Sequence, residues 1–427
     1  MKQRRVLVFP GATEIGLEIQ RALCQCKEVV LSSAGMDPPG HAPFVFERHH
    51  SVASVHEAGW IDGLNAAIDA EEVDYILPAH DDVIVALAIN VDRIRAHVVC
   101  SPLRTCLITR SKSKTYRLFE GVLRVPRVFR DIESITTYPV FVKPDRGQGS
   151  RGAKVARDQG ELLAALRSDP TAIVLEYLPG REYTVDCFSD RKHGILFCGG
   201  RERIRTRNGI SMNSVPVDEP QFRQIAELIT RKLELYGAWF FQLREDIQGD
   251  YCLLEIAPRV AGTMALHRVH GVNFPLLSIY EQERIPVEIL CNDMEVEVDR
   301  ALTNRYRHNL EFKSVYVDLD DTLIKSGKVN VRLVAFLYQC INSGIRLTLI
   351  TKSKENLQGF LESFRVGQIF DEIIHLEPSA EKAEFVTEAE SIFIDDSFRE
   401  RAAVQSRRGI PTFDGSMMEM LIDERAW

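Results

Sequence analysis

The chain has no CxxC pair among its nine cysteines, no apolar run of membrane-spanning length and no excess of positive charge. An odd number of cysteines scattered through segments that read as strand and helix suits reduced, mostly buried thiols better than a disulfide framework. The longest apolar runs, such as VIVALAI (83–89), fall far short of a bilayer span. A formal net charge of −8 argues against a binder of phosphate backbones, so neither nucleic acid nor a membrane is expected as a partner. The start, MKQRRVLVFPGATEIG, lacks the apolar core and small-residue cleavage site of a signal peptide. A soluble, cytoplasmic protein is the expectation. There is no internal repeat and no low-complexity tract. The 427 residues are 45% hydrophobic and 27% charged, an ordinary globular composition. That length exceeds one compact core and suits about two to four domains.

The apolar pattern is that of an α/β protein. RRVLVF (4–9), EVVLSSA (28–34) and VDYILPA (73–79) read as buried strands, with helices at LEIQRALCQC (17–26) and 60–70. The alternation predicts a doubly wound sheet over 1–105. The turn PGATEIG holds Gly11 and Gly16, but lacks the full GxGxxG of a dinucleotide site, so close helix–strand packing is the favoured reading. A second α/β unit follows over 106–300. It has helices at 111–120 and 221–235 and strands at 139–144, 153–156 and 172–176. Residues 301–313 are polar and read as a linker. From 314 to 427 strands and helices alternate again, with helices expected near 330–342, 354–364 and 381–388.

In YPVFVKPDRGQGSRGAKV (138–155) a strand delivers Lys143 to a loop with Gly147, Gly149, Ser150 and Gly152, and a second strand leaves. Glycines let backbone N–H groups close over phosphate oxygens, and a lysine supplies a movable positive charge. No GK[ST] leads into a helix, so the loop reads as a flap rather than a P-loop. AIVLEYLPGREYTVD (172–186) ends an apolar strand in Glu176 and continues to Glu182. FFQLREDIQGDYCLLEIAPRVAG (240–262) forms a hairpin that can set Gln242 beside Glu255, with Arg259 beyond. Oxygen ligands so placed suit Mg²⁺, which bridges nucleotide phosphates.

This order of motifs over roughly 1–300 resembles the ATP-grasp superfamily, in particular the carboxylate–amine ligases related to carbamoyl phosphate synthetase. The resemblance implies a pre-ATP-grasp domain over 1–105 and an ATP-grasp domain over 106–300 with its lid at about 138–180. It makes Lys112 of SKSKTY and Lys143 the phosphate-binding lysines, with the loop at 147–152 folding over the phosphates. Glu176 and Leu178 would line the adenine hinge and Glu182 would bind the ribose. Gln242 and Glu255 would hold Mg²⁺ (or Mn²⁺), and Arg259 would lie near the γ-phosphate. Lys114 reads as a solvated helix lysine. One departure stands out: the family usually carries Glu-x-Asn in the last metal strand, and this chain has Ala257 at the Asn position. The implied chemistry is attack of a carboxylate on ATP, giving an acyl phosphate that an amine (or thiol) opens. Arg203, Arg205 and Arg207, in GGRERIRTRNGISMNS (199–214), are candidates for the substrate carboxylate, Arg203 and Arg205 foremost. The oligomeric state stays open, and a homodimer is what the resemblance suggests.

VYVDLDDTLI (315–324) opens a second site. A buried strand ends in Asp318 and Asp320, two apart, so that on an extended strand end they would point the same way. Three later stretches match: IRLTLITKS (345–353) ends in Thr351, EPSAEKAEF (377–385) brings Lys382 at a helix start, and SIFIDDSFRER (391–401) ends in Asp395 and Asp396. The set is similar to the haloacid dehalogenase-like (HAD) phosphohydrolases over 314–427. That implies a Rossmann-like domain in which Asp318 is the nucleophile that forms an aspartyl-phosphate and Asp320 the acid/base. Thr351 and Lys382, with Lys352 as a substitute for Lys382, would bind the phosphoryl group. Asp318, Asp320, Asp395 and Asp396 would surround Mg²⁺. The short spacing between motifs leaves no room for a substantial cap.

The leading expectation is a bifunctional enzyme, an ATP-dependent ligase fused to a phosphatase, with a small carboxylate, an amine and a phosphate ester as its partners. The alternative makes the first half a nucleotide-binding regulator of the phosphatase.

Overall fold

The computed structural model describes residues 3–147, 149, 151–306, 308–352, 356–423 and 425. The chain divides into two compact units, 1–303 and 304–427.

In the first unit, strand Arg4–Phe9 is central to a five-stranded parallel sheet with Val29–Gly35, His49–Ser51, Tyr75–Pro78 and His97–Val98. Alternate residues serve opposite faces: Val6 and Val8 enter one apolar cluster, Leu7 and Phe9 another. The first helix is Glu14–Leu23 rather than 17–26, because Thr13 caps it by accepting the Gly16 N–H. Gly16 therefore lies inside the helix, where a Cβ would stand 2.5 Å from the Gly11 carbonyl oxygen. The glycine serves close packing.

The same unit continues with a four-stranded sheet, in spatial order Val128–Phe129, Ala172–Glu176, Val140–Pro144 and Lys154–Ala156. The strand Val128–Phe129 joins this sheet from before residue 138, the expected start of the lid. A six-stranded antiparallel sheet follows, with Tyr251–Ala257, Gly237–Glu245, Glu182–Asp190, Gly194–Arg207, Ile210–Val217 and Val298–Asp299 in that spatial order.

The expected division at 105 is not a division of cores. Val6, Ile19 and Leu23 share one cluster with Phe188, Phe240, Phe274 and Ile279. Arg4 holds Glu283 at 2.7–2.8 Å, and Arg268 reaches Glu18 at 2.7 Å. The helix expected over 221–235 is Pro220–Thr230, while Leu233 and Leu235 reach the core from the loop after it.

The second unit is a five-stranded parallel sheet, in spatial order Glu372–His375, Arg346–Thr351, Ser314–Val317, Ser391–Ile394 and Thr412–Phe413. Its helices include Val331–Asn342, Leu357–Phe364 and Phe398–Arg408. The helix expected over 381–388 is only Lys382–Phe385, and residues 353–355 of the one expected near 354–364 lie outside the described residues. Between the first strand and helix Val331–Asn342 stands only a small hairpin, Ile324–Lys325 with Lys328–Val329. Among the described residues of the first unit and of the second, no helix is long and apolar enough to cross a membrane.

Candidate functional site

The first site lies between the four-stranded and six-stranded sheets, and its position follows from two fasteners. Asp145, just past strand Val140–Pro144, accepts the Ser113 N–H at 2.7 Å and the Ser111 hydroxyl at 2.7 Å. Ser111 also caps helix Lys112–Phe119. These bonds hold the helix start against the strand end, so Lys112 and Lys143 enter one cavity. Antiparallel pairing sets Gln242 directly across from Glu255.

The cavity has a volume of about 150 Å³. Phe141, Leu175, Leu178 and Leu254 supply its apolar lining, and Lys112, Lys143, Glu176, Glu182, Gln242 and Glu255 its polar lining. Gly147 and Gly149 also line it, and the Gly147 carbonyl accepts from Lys112 Nζ at 3.2 Å. Gly149 and Gly152 have φ of +59° and +76°, which glycine tolerates best, and Gly152 shapes the loop without lining the cavity. Ser150 lies outside the described residues. Lys114 is exposed, as a solvated lysine should be.

Lys143 is buried, and burial first, then the charge of Lys112, pushes its ammonium down to about 8. Burial works against the Glu176 charge, but Arg124 at 2.7–2.8 Å and the Arg127 amide at 2.6 Å outweigh it and hold the carboxyl below its ordinary value. Glu182 pairs with Arg203, which also donates to Gln242 Oε1 at 3.2 Å.

A second cavity, of about 560 Å³, continues from the first, and Gly149, Arg203, Gln242 and Glu255 line both. Arg259 faces it and is gripped bidentately by Asp81, at 2.5 and 2.9 Å. Burial lowers the Arg259 pKa, but the paired carboxylate more than reverses this and keeps it above its ordinary value.

The arginine run does not face the cavity as a set. Arg205 does not line either cavity: it is 53% exposed and holds Asp299 at 2.7–2.9 Å. The register slips on both sides of Arg205, so the simple alternation that would align it with Arg203 breaks there. Arg207 is exposed at the strand end. The cavity takes Arg201 and Arg300 instead. Arg201 was legible as the residue two before Arg203 on one strand, whereas Arg300 carries no local signal. Ala257 is buried against the apolar cluster and pairs across the sheet with Phe240.

The second site sits in the other unit. The strands bearing Asp318 and Asp395 are parallel neighbours, and the strand order turns back between them. Such a reversal opens a crevice at the carboxyl ends of the strands. Lys382 Nζ donates to Asp318 Oδ1 at 2.5 Å and to Asp395 Oδ2 at 2.7 Å, with all three residues buried. Arg408 pins the short helix of Lys382 through the Ala383 carbonyl at 2.6 Å. Burial first, then Asp395, pushes the Asp318 carboxyl up to about 7 even though Lys382 opposes this. Carboxylate oxygens of Asp318, Asp395 and Asp396 lie within 4.8 Å of one another, a cluster able to hold a cation.

Asp320 stands outside that cluster and is exposed. The strand ends at Val317, and Asp321 turns the chain with φ of +58°, so the extended geometry assumed for Asp318 and Asp320 does not hold. Burial first, then Asp321, raises the Asp320 carboxyl above its ordinary value. Thr351 is buried at the same strand-end edge. Lys352 is engaged by Glu400 at 2.6 Å, whereas Lys382 meets Asp318.

Comparison with known proteins agrees with the geometry of the first unit. Residues 168–299 match the family described as "ATP-grasp in the biosynthetic pathway with Ter operon". The D-alanine–D-alanine ligase of Fusobacterium nucleatum is 29% identical over 90 residues, 21% of this chain and 31% of that protein. The formate-dependent phosphoribosylglycinamide formyltransferase of Pectobacterium carotovorum is 26% identical over 170 residues, 37% of this chain and 41% of that protein. The chain thus spans well under half the length of either relative. The crystal structure of a Campylobacter jejuni biotin carboxylase superposes with a TM-score of 0.56 at 16% identity, covering 68% of this chain and 74% of that one. The α/β fold of the first unit is an ATP-grasp fold.

Proposed function

We propose that the protein is a bifunctional enzyme: an ATP-dependent carboxylate–amine (or thiol) ligase joined to a magnesium-dependent phosphatase. The observation that carries the ligase reading is the convergence of Lys112, Lys143, Glu176, Leu178, Glu182, Gln242 and Glu255 on one cavity that continues into a second one beside Arg259. In this reading the adenine rests among Leu178, Leu175 and Phe141, and Glu182 leaves Arg203 to accept from the ribose. Lys112 and Lys143 neutralise the phosphates, and Gln242 and Glu255 would hold Mg²⁺ (or Mn²⁺), which supplies further charge neutralisation there. A substrate carboxylate oxygen attacks the γ-phosphorus and ADP leaves. The amine then attacks the acyl carbon, expelling phosphate and losing a proton. The glycine loop excludes water from the acyl phosphate. Arg259, held by Asp81, is positioned for charge developing on the transferred group.

In the second unit Asp318 attacks the phosphorus of a phosphate ester, and Asp320 protonates the departing alkoxide. Water, deprotonated by Asp320, then hydrolyses the aspartyl-phosphate. Lys382 and Thr351 bind the phosphoryl group, and Asp318, Asp395 and Asp396 would hold Mg²⁺. Among the described residues only the small hairpin stands between the first strand of this sheet and helix Val331–Asn342, which supports a site without a substantial cap.

ADP release against a panel of carboxylates and amines, with p-nitrophenyl phosphate hydrolysis in parallel, tests both halves. ATP-dependent condensation supports the ligase. Tight ATP binding with no turnover on any pair favours the other reading, a nucleotide-binding regulator of the phosphatase. That reading draws on the methyl of Ala257, which cannot coordinate a metal.

A further inference from the structure

The 560 Å³ cavity is larger than a small carboxylate and an amine need, and five arginines, Arg151, Arg201, Arg203, Arg259 and Arg300, stand on its walls with the carboxylates of Glu14, Asp81 and Glu255. Of these arginines, Arg203 is matched by Glu182, Arg259 by Asp81 and Arg201 by Asp186, while Arg151 is exposed on the glycine loop. The Asp186 pair, at 2.8 and 3.2 Å, is fully buried, with Arg201 only 2% exposed. Arg300 is different. Its side chain has no hydrogen bond and no ion pair among the described residues, although it is half-buried and lines the cavity.

Its placement is structurally specific. Strand Val298–Asp299 adds to the edge of the six-stranded sheet opposite Asn213 and Ser214. Asp299 is clamped there by Arg205 at 2.7–2.9 Å and by Asn213 at 3.1 Å. The next residue, Arg300, donates its N–H to the Met212 carbonyl at 2.7 Å. The pair that removed Arg205 from the cavity thus fixes the backbone that brings Arg300 to it. Gly262 borders the approach: a Cβ there would touch Arg300 Nη1 and Glu14 Cβ, each at 3.4 Å, so a larger side chain would reach into the space beside the guanidinium. Burial draws the guanidinium below its ordinary value. Glu14 and Glu18 oppose this, while Arg21 and Arg201 add to it. A half-buried cation without a partner gains most from a ligand oxyanion, which its planar fork binds through two donors.

We propose that Arg300 is a specificity-determining residue: it binds an oxyanionic group of the substrate, carboxylate or phosphate, that is distinct from the carboxylate activated by ATP. The substrate is then at least a dianion. This assignment rests on the ligase reading of the cavity.

The test uses the full chain saturated with Mg²⁺ and a non-hydrolysable ATP analogue, which fills the γ-phosphate position. Succinate, phosphoglycolate and, as the single-charge control, acetate are titrated calorimetrically into the wild type and into R300Q and R300K. Succinate or phosphoglycolate binds the wild type at least about tenfold more tightly than it binds R300Q. R300K recovers only part of the loss, and the three proteins bind the analogue equally. Preference for phosphoglycolate identifies a phosphate subsite, and preference for succinate a carboxylate subsite. Equal affinity of wild type and R300Q for both dianions, or no saturable binding of either to the wild type, overturns the assignment. Failure of the analogue itself to bind overturns the ligase reading instead. Since analogue binding also reports folding, a misfolded variant is separated from a lost subsite. A G262V variant, narrowing the approach to Arg300, lowers dianion affinity in the same direction without altering the charge.

Discussion

The two candidate sites handle charge in opposite ways. The cavity between the two sheets of the first unit is roomy and rich in cations, and its lysines are held without carboxylates of their own. Lys112 leans on a carbonyl and Lys143 is buried beside it with a depressed pKa. The site in the second unit is compact. One buried lysine sits between two buried carboxylates, at 2.5 and 2.7 Å, with a third carboxylate close by. The first arrangement awaits a large anion that brings its own negative charge. The second has surplus negative charge and awaits a cation. The five-stranded sheets of both units have their strand order reversed beside the first strand, but the lysine cavity lies between the other two sheets of the first unit, whereas the carboxylate cluster sits at the strand ends of the second. Function lies in the side chains at the strand ends.

That contrast can be broken most sharply at Asp318. An Asp318→Asn variant is expected to lose at least about a thousandfold of p-nitrophenyl phosphate hydrolysis, as removal of a nucleophile does. It should bind ATP as the wild type does. Loss of both together would mean that the two sites are not separate.

Lys143→Met should do the converse, raising the KM for ATP about 10–100-fold through loss of a charge-assisted bond. Phosphatase kinetics measured on the same preparation should not move.

Titration sharpens the point. With no phosphate beside it, Lys143 is mostly protonated below a pH of about 8. Bound phosphate favours the charged form and raises that pKa. The lysine's contribution to ATP affinity is therefore whole below pH 8, and is lost as pH rises from there through the raised value, by up to about tenfold per pH unit. Isothermal titration of an ATP analogue between pH 7 and 10 reads this. Lys143→Arg, always charged, should flatten the profile.

The arginine strand gives a smaller contrast. Arg203→Ala should weaken nucleotide binding about tenfold, because it removes a cavity cation that also holds Gln242, whereas Arg205→Ala should change it by less than about twofold. Equal losses would restore the simple alternation of the strand. The smallest effect is on stability. Mg²⁺ should raise an unfolding midpoint by about 3–6 °C at saturation. Asp395→Asn should remove that increment, whereas a variant of Glu255 should not.

Much of this was legible in the residues because strands and glycine loops are local patterns. Lys143 with its loop, the strand ending in Glu176 and the hairpin pairing Gln242 with Glu255 each occupy a short stretch whose periodicity assigns faces. The carboxyl ends of VYV and SIFI point to one edge for the same reason. What stayed hidden depends on contacts distant in sequence. The cluster joining Val6 to Phe240 could not be inferred from either segment alone, so a boundary expected at 105 falls inside a core. Helix ends were displaced where a cap such as Thr13, or a loop carrying Leu233 to the core, overrode the apolar pattern.

The sequence by itself determined which chemical groups are present, in what order, and which strand ends carry them. Only the tertiary structure decided which arginines face the larger cavity. Arg203 and Arg205 look equivalent in RERIRTR, but slips in register on either side of Arg205 turn it out to Asp299, and Arg300 comes to the cavity from an edge strand far along the chain. Likewise Asp318 and Asp320 differ because the strand stops before both of them, leaving one carboxylate in the buried cluster and the other in solvent. Side-chain alternation is a local property, but the register and length over which it holds are set by pairing with strands elsewhere in the chain.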